Sequence, residues 1–139
     1  MNLEFKKRSI ARLFAVQSIY LLTIRSNASL DDALQACSQD EPFHKELYKD
    51  LVQYWLDNRE DIQTLVRKHL PERWSFDRLD FVLAAIVQTG VCELRKYTDL
   101  DTALILNEYI DIGHAFFQEG EHKLIHGILH GIAAEIRSS

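Results

Sequence analysis

The stretch that decides the fold runs from Arg78 to Leu94 and reads RLDFVLAAIVQTGVCEL. Its apolar side chains recur every three or four residues, which is the period of an α-helix and not of a β-strand. This spacing predicts a long, largely apolar helix, with Ser75 or Asp77 available as its N-terminal cap. We expect such an apolar helix to lie at the centre of the molecule.

The sequence on both sides of this segment repeats the helical pattern. Five glycines and two prolines supply little of the turn chemistry that an all-β chain of 139 residues would need. Between Pro42 and Pro71 the pattern predicts two helices, one reaching Trp55 and a second starting at Ile62. We therefore predict an all-α fold, a compact bundle of about seven helices.

Length and composition favour one domain over residues 1–139. A chain of this length with 47% hydrophobic residues can bury a sizeable core without disulfides or metals. Cys37 and Cys92 lie far apart and lack C-x-x-C spacing, which suits a reducing intracellular environment. No stretch of the sequence approaches the ~20 apolar residues of a bilayer span. We therefore expect a cytoplasmic protein with no membrane contact.

Charge is distributed unevenly along the chain. The net charge is −5, yet the first twelve residues carry Lys6, Lys7, Arg8 and Arg12 against Glu4, a local balance of +3. A cationic patch on an acidic protein suits a phosphate backbone, because neutralised phosphates release condensed counterions. Basic clusters are also common as solvated arms, so charge alone leaves both interpretations open.

The patch belongs to the start of the first predicted helix. On a helical wheel Ile10, Phe14 and Ile24 share an apolar face, whereas Arg8 and Arg12 lie one turn apart on the other side. Cations at this end oppose the helix dipole, so helix stability does not explain their position. A bound anionic ligand explains it better.

Metal binding and catalysis fit the sequence less well. His122, His126 and His130 recur every four residues and would present three imidazoles along one helical edge, a spacing that can hold zinc. No Glu stands inside an H-x-x-x-H interval to act as a metalloprotease base, and histidines packing beside an apolar stripe are the favoured interpretation. The chain also lacks a G-x-S-x-G elbow and a phosphate-binding glycine loop. We predict no enzyme activity, no cofactor and no metal.

Three ordered motifs resemble the NusB family of bacterial transcription antitermination factors. They are R-x-x-A-V-Q-x-x-Y at 12–20, the helix at 78–94 ending in C-E-L where the family has Y-E-L, and NEYIDIGHAFFQEGEHKLIHGILH at 107–130. Residues 27–70 resemble the family in length and helical character only. The resemblance implies an all-helical fold in two halves.

The same resemblance implies a function. Members of the family bind boxA RNA together with NusE, a ribosomal protein of the small subunit, and help RNA polymerase antitermination complexes transcribe rRNA operons. Carried over by position, the RNA-binding residues are Lys6, Lys7, Arg8, Arg12, Lys123 and Leu124. The family's NusE-facing tyrosine corresponds to Tyr20, which we expect at the edge of the first helix with its ring half covered.

This chain departs from the family pattern at several positions. Ser9 and Ile10 stand where relatives carry more arginines, and Leu124 stands where an aromatic residue often meets RNA. The N-G-x-L-D signature reads H-G-I-L-H at 126–130. With few phosphate contacts, RNA binding by the isolated protein should be weak and salt-dependent.

Two alternatives remain open at this stage. A similar helical domain precedes the cofactor-binding domain of rRNA cytosine methyltransferases, in which case the reading frame would continue past Ser139. The chain could also be a structural homodimer, because the small residues Ala11 and Ala15 beside the arginines would permit close helix approach.

Overall fold

The computed structural model describes residues 3–37 and 40–137. Within these ranges the chain forms six α-helices, one short 3₁₀ helix at Phe76–Arg78 and no β-strand. The α-helices are α1 (Leu3–Ile24), α2 (Leu30–Ala36), α3 (Lys45–His69), α4 (Phe81–Lys96), α5 (Thr102–Phe116) and α6 (Glu121–Ile136). None of these helices combines the length and apolar character that a membrane span requires. The predicted all-α fold class is confirmed.

The difference between seven predicted helices and six observed ones arises in α3. The sequence predicts one helix to Trp55 and another from Ile62, but a single helix spans both. Asn58 departs from helical geometry, with φ −129° and ψ 24°, and its side-chain amide donates a hydrogen bond to the Tyr54 carbonyl oxygen at 3.0 Å. The polar break therefore marks a kink, because the helical hydrogen bonds resume after one displaced residue.

Helix α4 lies at the centre of the bundle, as predicted. It packs against α1, α3, α5 and α6, and every residue from 83 to 94 is buried. Its N-terminal cap is Asp80, and not Ser75 or Asp77, because the Asp80 carboxylate accepts hydrogen bonds from the first N–H groups of α4 at 2.8 and 3.3 Å. Ser75 and Asp77 belong to the 3₁₀ turn that precedes the helix.

A glycine allows α6 to approach α4 closely. A Cβ atom at Gly90 of α4 would lie 2.9 Å from Leu129 Cδ2 of α6. This distance is shorter than the ~3.5–4.0 Å separation of carbon atoms in favourable contact. The contact between α4 and α6 therefore depends on the absence of a side chain at this position.

Both cysteines are buried in the helical core. Cys37 follows α2 and Cys92 lies within α4, and neither forms a disulfide. Burial raises the pKa of the Cys92 thiol, so this group stays protonated at neutral pH. The two residues are packing residues of the core.

Candidate nucleic-acid interface

Three cations lie at the surface around the start of α1. Lys6 and Arg8 are exposed and Lys7 is half-buried. The Lys7 Nζ atom lies 3.9 Å from a carboxylate oxygen of Glu4, a long and weak surface ion pair. The amide of His44 donates a hydrogen bond to the Lys7 carbonyl oxygen at 3.2 Å. This end of α1 is thus anchored to the segment before α3 while its cations remain accessible.

Arg12, the fourth predicted cation, lies inside the protein with a side chain only 3% exposed. Its guanidinium makes a forked ion pair with Glu93 of α4, from Nε to Oε1 at 2.8 Å and from Nη2 to Oε2 at 2.8 Å. The remaining nitrogen, Nη1, donates to Oε1 of Glu108 in α5 at 2.6 Å. The prediction that Arg12 points away from the core beside Arg8 is wrong. Because carboxylates engage all three nitrogens, Arg12 is not available to an RNA phosphate.

Two hydroxyl groups complete this buried cluster, which we call the polar node: Arg12, Glu93, Glu108, Tyr109 and Ser9. The Tyr109 hydroxyl donates to Oε1 of Glu93 at 2.7 Å, and the Ser9 hydroxyl donates to Oε1 of Glu108 at 2.8 Å. Glu93 and Tyr109 have no exposed surface. The Glu93 carboxylate exchanges water for donors on both oxygens, and the node joins α1, α4 and α5 through one cation shared by two carboxylates, of which Glu108 is 11% exposed.

The surroundings in the polar node raise the pKa values of Arg12 and Tyr109. Burial alone would lower the pKa of the Arg12 guanidinium, but the hydrogen bonds and negative charge of Glu93 outweigh it and the pKa is raised. Burial, reinforced by the negative charge of Glu93, raises the pKa of Tyr109 well above the usual range of a tyrosine. Near neutral pH, Arg12 is therefore always a cation and Tyr109 always a hydroxyl donor.

The helical wheel of α1 was wrong because other helices cover this helix on more than one side. Helix α1 packs against α2, α3 and α4. Its buried residues are Ala11, Arg12, Phe14, Ala15, Val16, Ser18, Ile19 and Leu22. Ile24, which the wheel placed on the buried face, is 52% exposed. A wheel assumes one apolar stripe, whereas an enclosed helix also buries small and polar side chains.

The small residues of α1 are covered within the chain. Ala11 and Ala15 have no exposed surface. The homodimer alternative placed these residues at a contact between two copies of the first helix. Since the surrounding helices already occupy that space, Ala11 and Ala15 cannot contribute to such a contact.

Tyr20 lies in the second half of α1 and is 36% exposed. Its ring is thus partly covered and its edge is accessible, as expected for a side chain at the boundary of the core. A role for Tyr20 in binding a partner stays a prediction.

Lys123 and Leu124 lie in the first turn of α6. Lys123 is exposed, and Leu124 is partly buried against the core. Gly120, just before the helix, has a φ of 88°, the left-handed conformation that glycine adopts readily. Lys6 of α1 lines a groove with Ala115, one residue before the end of α5. Lys6 thus lies beside the end of α5, and the turn after α5 leads along the chain to Lys123 and Leu124.

The three histidines of α6 pack in different pairs. His122 stacks on His114 of α5 with ring centroids 4.2 Å apart, and His126 stacks on His130 at 5.6 Å. In the part of the chain that the structure describes, no group of three His, Cys, Asp or Glu residues is arranged to hold a metal ion. The arrangement is one of ring packing at the helix surface.

The residues around Arg12 were not predicted from the sequence: its partners Glu93 and Glu108, and Tyr109, which donates to Glu93. One signal was present: Glu93 stands in the most apolar helix of the chain, and a carboxylate there requires a cationic partner. Arg12 was the cation that could pair with Glu93, because it lies next to Ala11 and two residues before Phe14 in an apolar stretch. The second partner of Arg12 is Glu108. Its position depends on how α5 packs, and no local sequence pattern predicts it.

Comparisons with known sequences agree with one another. The NusB family model matches residues 9–134. The transcription antitermination protein NusB of Mesorhizobium japonicum is 30% identical over 141 residues, which cover 94% of this chain and 91% of the relative. The protein of the same name from Brucella anthropi is 33% identical over 145 residues, covering 94% of this chain and 84% of the relative.

Solved structures show the same likeness. T. maritima NusB superimposes with a TM-score of 0.79 at 25% identity, covering 92% of this chain and 91% of that chain. A complex of the antitermination factors NusB and NusE with double-stranded RNA contains a chain that superimposes with a TM-score of 0.78 at 23% identity, covering 94% of this chain and 98% of that chain. The second likeness is one of fold.

Proposed function

Because the chain belongs to the NusB family of transcription antitermination factors, we propose that it binds boxA RNA jointly with NusE. In this role it promotes transcription of rRNA operons within the RNA polymerase antitermination complex. It acts as a single, non-catalytic RNA-binding domain over residues 1–139. The observation that carries the proposal is the accessible cationic end of α1, placed on an otherwise acidic protein.

The proposed RNA surface consists of Lys6, Lys7, Arg8, Lys123 and Leu124. Within residues 3–37 and 40–137, neither Lys6 nor Arg8 forms an ion pair, so both charges are available to phosphates. Lys123 adds a third accessible cation at the start of α6. Leu124 supplies apolar surface for an unpaired base, and single-stranded RNA is held by this combination of cations and apolar or stacking contacts.

Arg12 takes an indirect role in the proposal. Its ion pairs with Glu93 and Glu108 fix α1 against α4 and α5, one helical turn after Arg8. This attachment sets the position of the accessible cations without using the guanidinium for RNA. We therefore assign Arg12 to folding and positioning and remove it from the RNA surface.

NusE supplies the binding energy that this chain lacks. The accessible cations are few, so this chain makes few phosphate contacts and its own affinity for RNA is low. That affinity decreases further as the salt concentration rises. We propose that NusE docks on the side of α1 that carries Tyr20, whose half-covered ring offers apolar area and a hydroxyl group. The heterodimer then presents RNA with a larger surface than either protein alone.

The double variant Lys6→Ala with Arg8→Ala tests the RNA surface. Loss of two phosphate contacts should weaken binding of boxA RNA by the complex with NusE about tenfold. It should also make the slope of log K against log salt less negative by about 1.4, since each single-strand contact contributes roughly −0.7. Fluorescence anisotropy with labelled boxA RNA at several salt concentrations measures both effects. Circular dichroism verifies that the variant stays folded.

A matched control is the double variant Arg25→Ala with Lys49→Ala. It removes the same charge from two exposed positions that lie outside the proposed surface. Equal RNA affinities and salt slopes for the two double variants would refute the RNA surface. Absence of any boxA binding by the unaltered protein with NusE would refute the proposed function itself.

A further inference from the structure

A large cleft lies beside Lys123 and Leu124, in a part of the molecule that the proposed RNA surface does not otherwise use. It has a volume of about 970 Å³ and opens between the end of α3, the segment 70–80 and the first turns of α6. Ligand-binding clefts have volumes of roughly 300–1,000 Å³. The cleft is therefore large enough to receive a nucleotide or a short peptide.

The floor of the cleft is apolar and one wall carries an accessible aromatic ring. Leu79, Leu83 and Ile128 line the floor and are buried. Trp74 stands on the wall, 42% exposed, and its backbone amide donates to the Pro71 carbonyl oxygen at 2.8 Å. The indole is thus held on an ordered turn with much of its surface uncovered.

The segment that carries this wall is fastened to α3. The guanidinium of Arg67 lies over the Phe76 ring, 4.8 Å from its centroid. A cation in this position attracts the aromatic face. The contact links the segment 70–80 to the end of α3 beside the cleft.

Four cations and three carboxylates from the described part of the chain line the cleft. Arg73, Arg78 and Lys123 line it, are exposed, and form no ion pair with any residue that the structure describes. A fourth cation, Lys68, is engaged by Glu135 at 2.9 Å. Three cationic groups are therefore free to hold an anionic ligand.

The carboxylates of the lining are largely engaged in local hydrogen bonds. Asp80 caps α4, and an oxygen of Glu121 accepts a hydrogen bond from the backbone amide of Glu119 at 3.0 Å. The Glu119 side chain is the remaining carboxylate in the lining. These carboxylates keep their negative charge. The unpaired Arg73, Arg78 and Lys123 beside the exposed Trp74 indole nevertheless suit an anionic ligand that also carries an aromatic base.

We propose that the cleft binds single-stranded RNA that continues from the boxA segment. In this arrangement a base stacks on the Trp74 indole, and Arg73, Arg78 and Lys123 hold the adjoining phosphates. Lys123 and Leu124 belong to both surfaces, so RNA leaving the start of α6 enters the cleft directly. An acidic peptide would engage the cations alone, whereas a nucleotide engages the cations and the indole face together. This inference rests on the proposed function.

The first test compares two RNAs, a boxA oligonucleotide and the same oligonucleotide extended by flanking sequence at either end. For the complex of the protein with NusE, Arg73→Ala with Arg78→Ala should weaken binding of the extended RNA about tenfold and make its salt slope less negative by about 1.4. Affinity for the unextended RNA should not change, because Lys6, Lys7 and Arg8 are intact. Arg25→Ala with Lys49→Ala serves again as the control of equal charge.

The second test measures the fluorescence of the Trp74 indole. The chain has two tryptophans, and the other one, Trp55, is buried. Extended RNA should quench the tryptophan fluorescence of the unaltered protein and leave that of Trp74→Phe unchanged. Trp74→Leu should bind the extended RNA about tenfold more weakly, because a stacked base contributes roughly 1–3 kcal/mol. Circular dichroism of each variant verifies its fold.

The outcomes separate this inference from the function on which it rests. If Lys6→Ala with Arg8→Ala weakens RNA binding while the cleft variants bind extended RNA as the unaltered protein does, the cleft proposal is overturned and the function stands. If the cleft variants weaken binding of NusE in the absence of RNA and leave extended RNA unaffected, the cleft is a protein-docking site and the proposal is likewise overturned.

Discussion

Replacing Arg12 by alanine is the most direct test of the polar node. The substitution leaves Glu93, which has no exposed surface, without the cation that bonds both of its oxygens at 2.8 Å. It also removes the 2.6 Å contact to Glu108, so α1 loses its ion pairs to both α4 and α5 and keeps the Ser9 hydrogen bond to Glu108. The expected result is a large loss of stability and not a selective loss of RNA binding.

The magnitude follows from the burial of the charges. Breaking a buried ion pair by removing one partner costs about 3–5 kcal/mol, because the other charge stays buried and uncompensated. The total free energy of unfolding of a domain is about 5–15 kcal/mol, so Arg12→Ala should remove roughly a fifth of it or more. At roughly 3 °C per kcal/mol for a chain of this size, the midpoint of thermal unfolding should fall by about 10–15 °C.

Urea and thermal unfolding followed by circular dichroism measure this loss. Arg8→Ala is the matched control, since Arg8 lies one turn earlier on the same helix and is exposed. A surface substitution of this kind changes stability by about 0.5 kcal/mol or less. Arg12→Lys should fall between the two, because lysine restores the charge but not the forked geometry.

Two results would refute the reasoning about Arg12. One is an unfolding free energy for Arg12→Ala within about 1 kcal/mol of the unaltered protein, since that is the range of an exposed ion pair. The other is an equal loss for Arg8→Ala. In either case Arg12 would have to be returned to the candidate RNA ligands.

Two further predictions concern packing and pH. Gly90→Ala should destabilise the protein by about 1–3 kcal/mol, because the new methyl group meets Leu129. Gly127→Ala should stabilise α6 by roughly 0.5–1 kcal/mol, because a Cβ atom there has nothing within 4 Å. Unfolding curves that shift in the same direction for both variants would contradict this prediction. The raised pKa of Tyr109 means that its contribution to stability is complete below the unfolded-state pKa of about 10 and is lost as the pH rises above it. Tyr109→Phe should flatten this alkaline decline and, by removing a donor from Glu93, cost about 1–3 kcal/mol at neutral pH; an unaltered alkaline profile in urea titrations would disprove the assignment.

Much of the fold followed from local patterns. The apolar repeat at 78–94 predicts the central helix, and the structure buries every residue from 83 to 94. The two helices predicted between Pro42 and Pro71 are present, but they meet at a kink at Asn58 and no linker separates them. Neighbouring polar residues there resemble a linker, but only the packing of the flanking turns decides whether a helix ends or bends at Asn58.

The candidate site was predictable in part. Lys6, Lys7 and Arg8 lie near the N-terminus of α1, where the other helices leave the surface uncovered, so sequence position was a good guide to their exposure. Arg12 is one turn further along, where α4 packs against the helix and Glu108 of α5 completes the closure around the guanidinium. A wheel drawn for one helix cannot show this closure, because it contains no information about the number of neighbours.

The sequence alone determined the all-α fold class, the positions of most helices and the cationic end of the first helix. Helical period, caps and charge are properties of residues close together along the chain. The role of Arg12 was decided only in three dimensions. Its carboxylate partners stand 81 and 96 residues away along the chain. The cleft, too, exists only in the tertiary structure, because its walls come from α3, the segment 70–80 and α6. Burial converts an arginine from a phosphate ligand into an ion-pair partner, and burial is a property of the assembled helices.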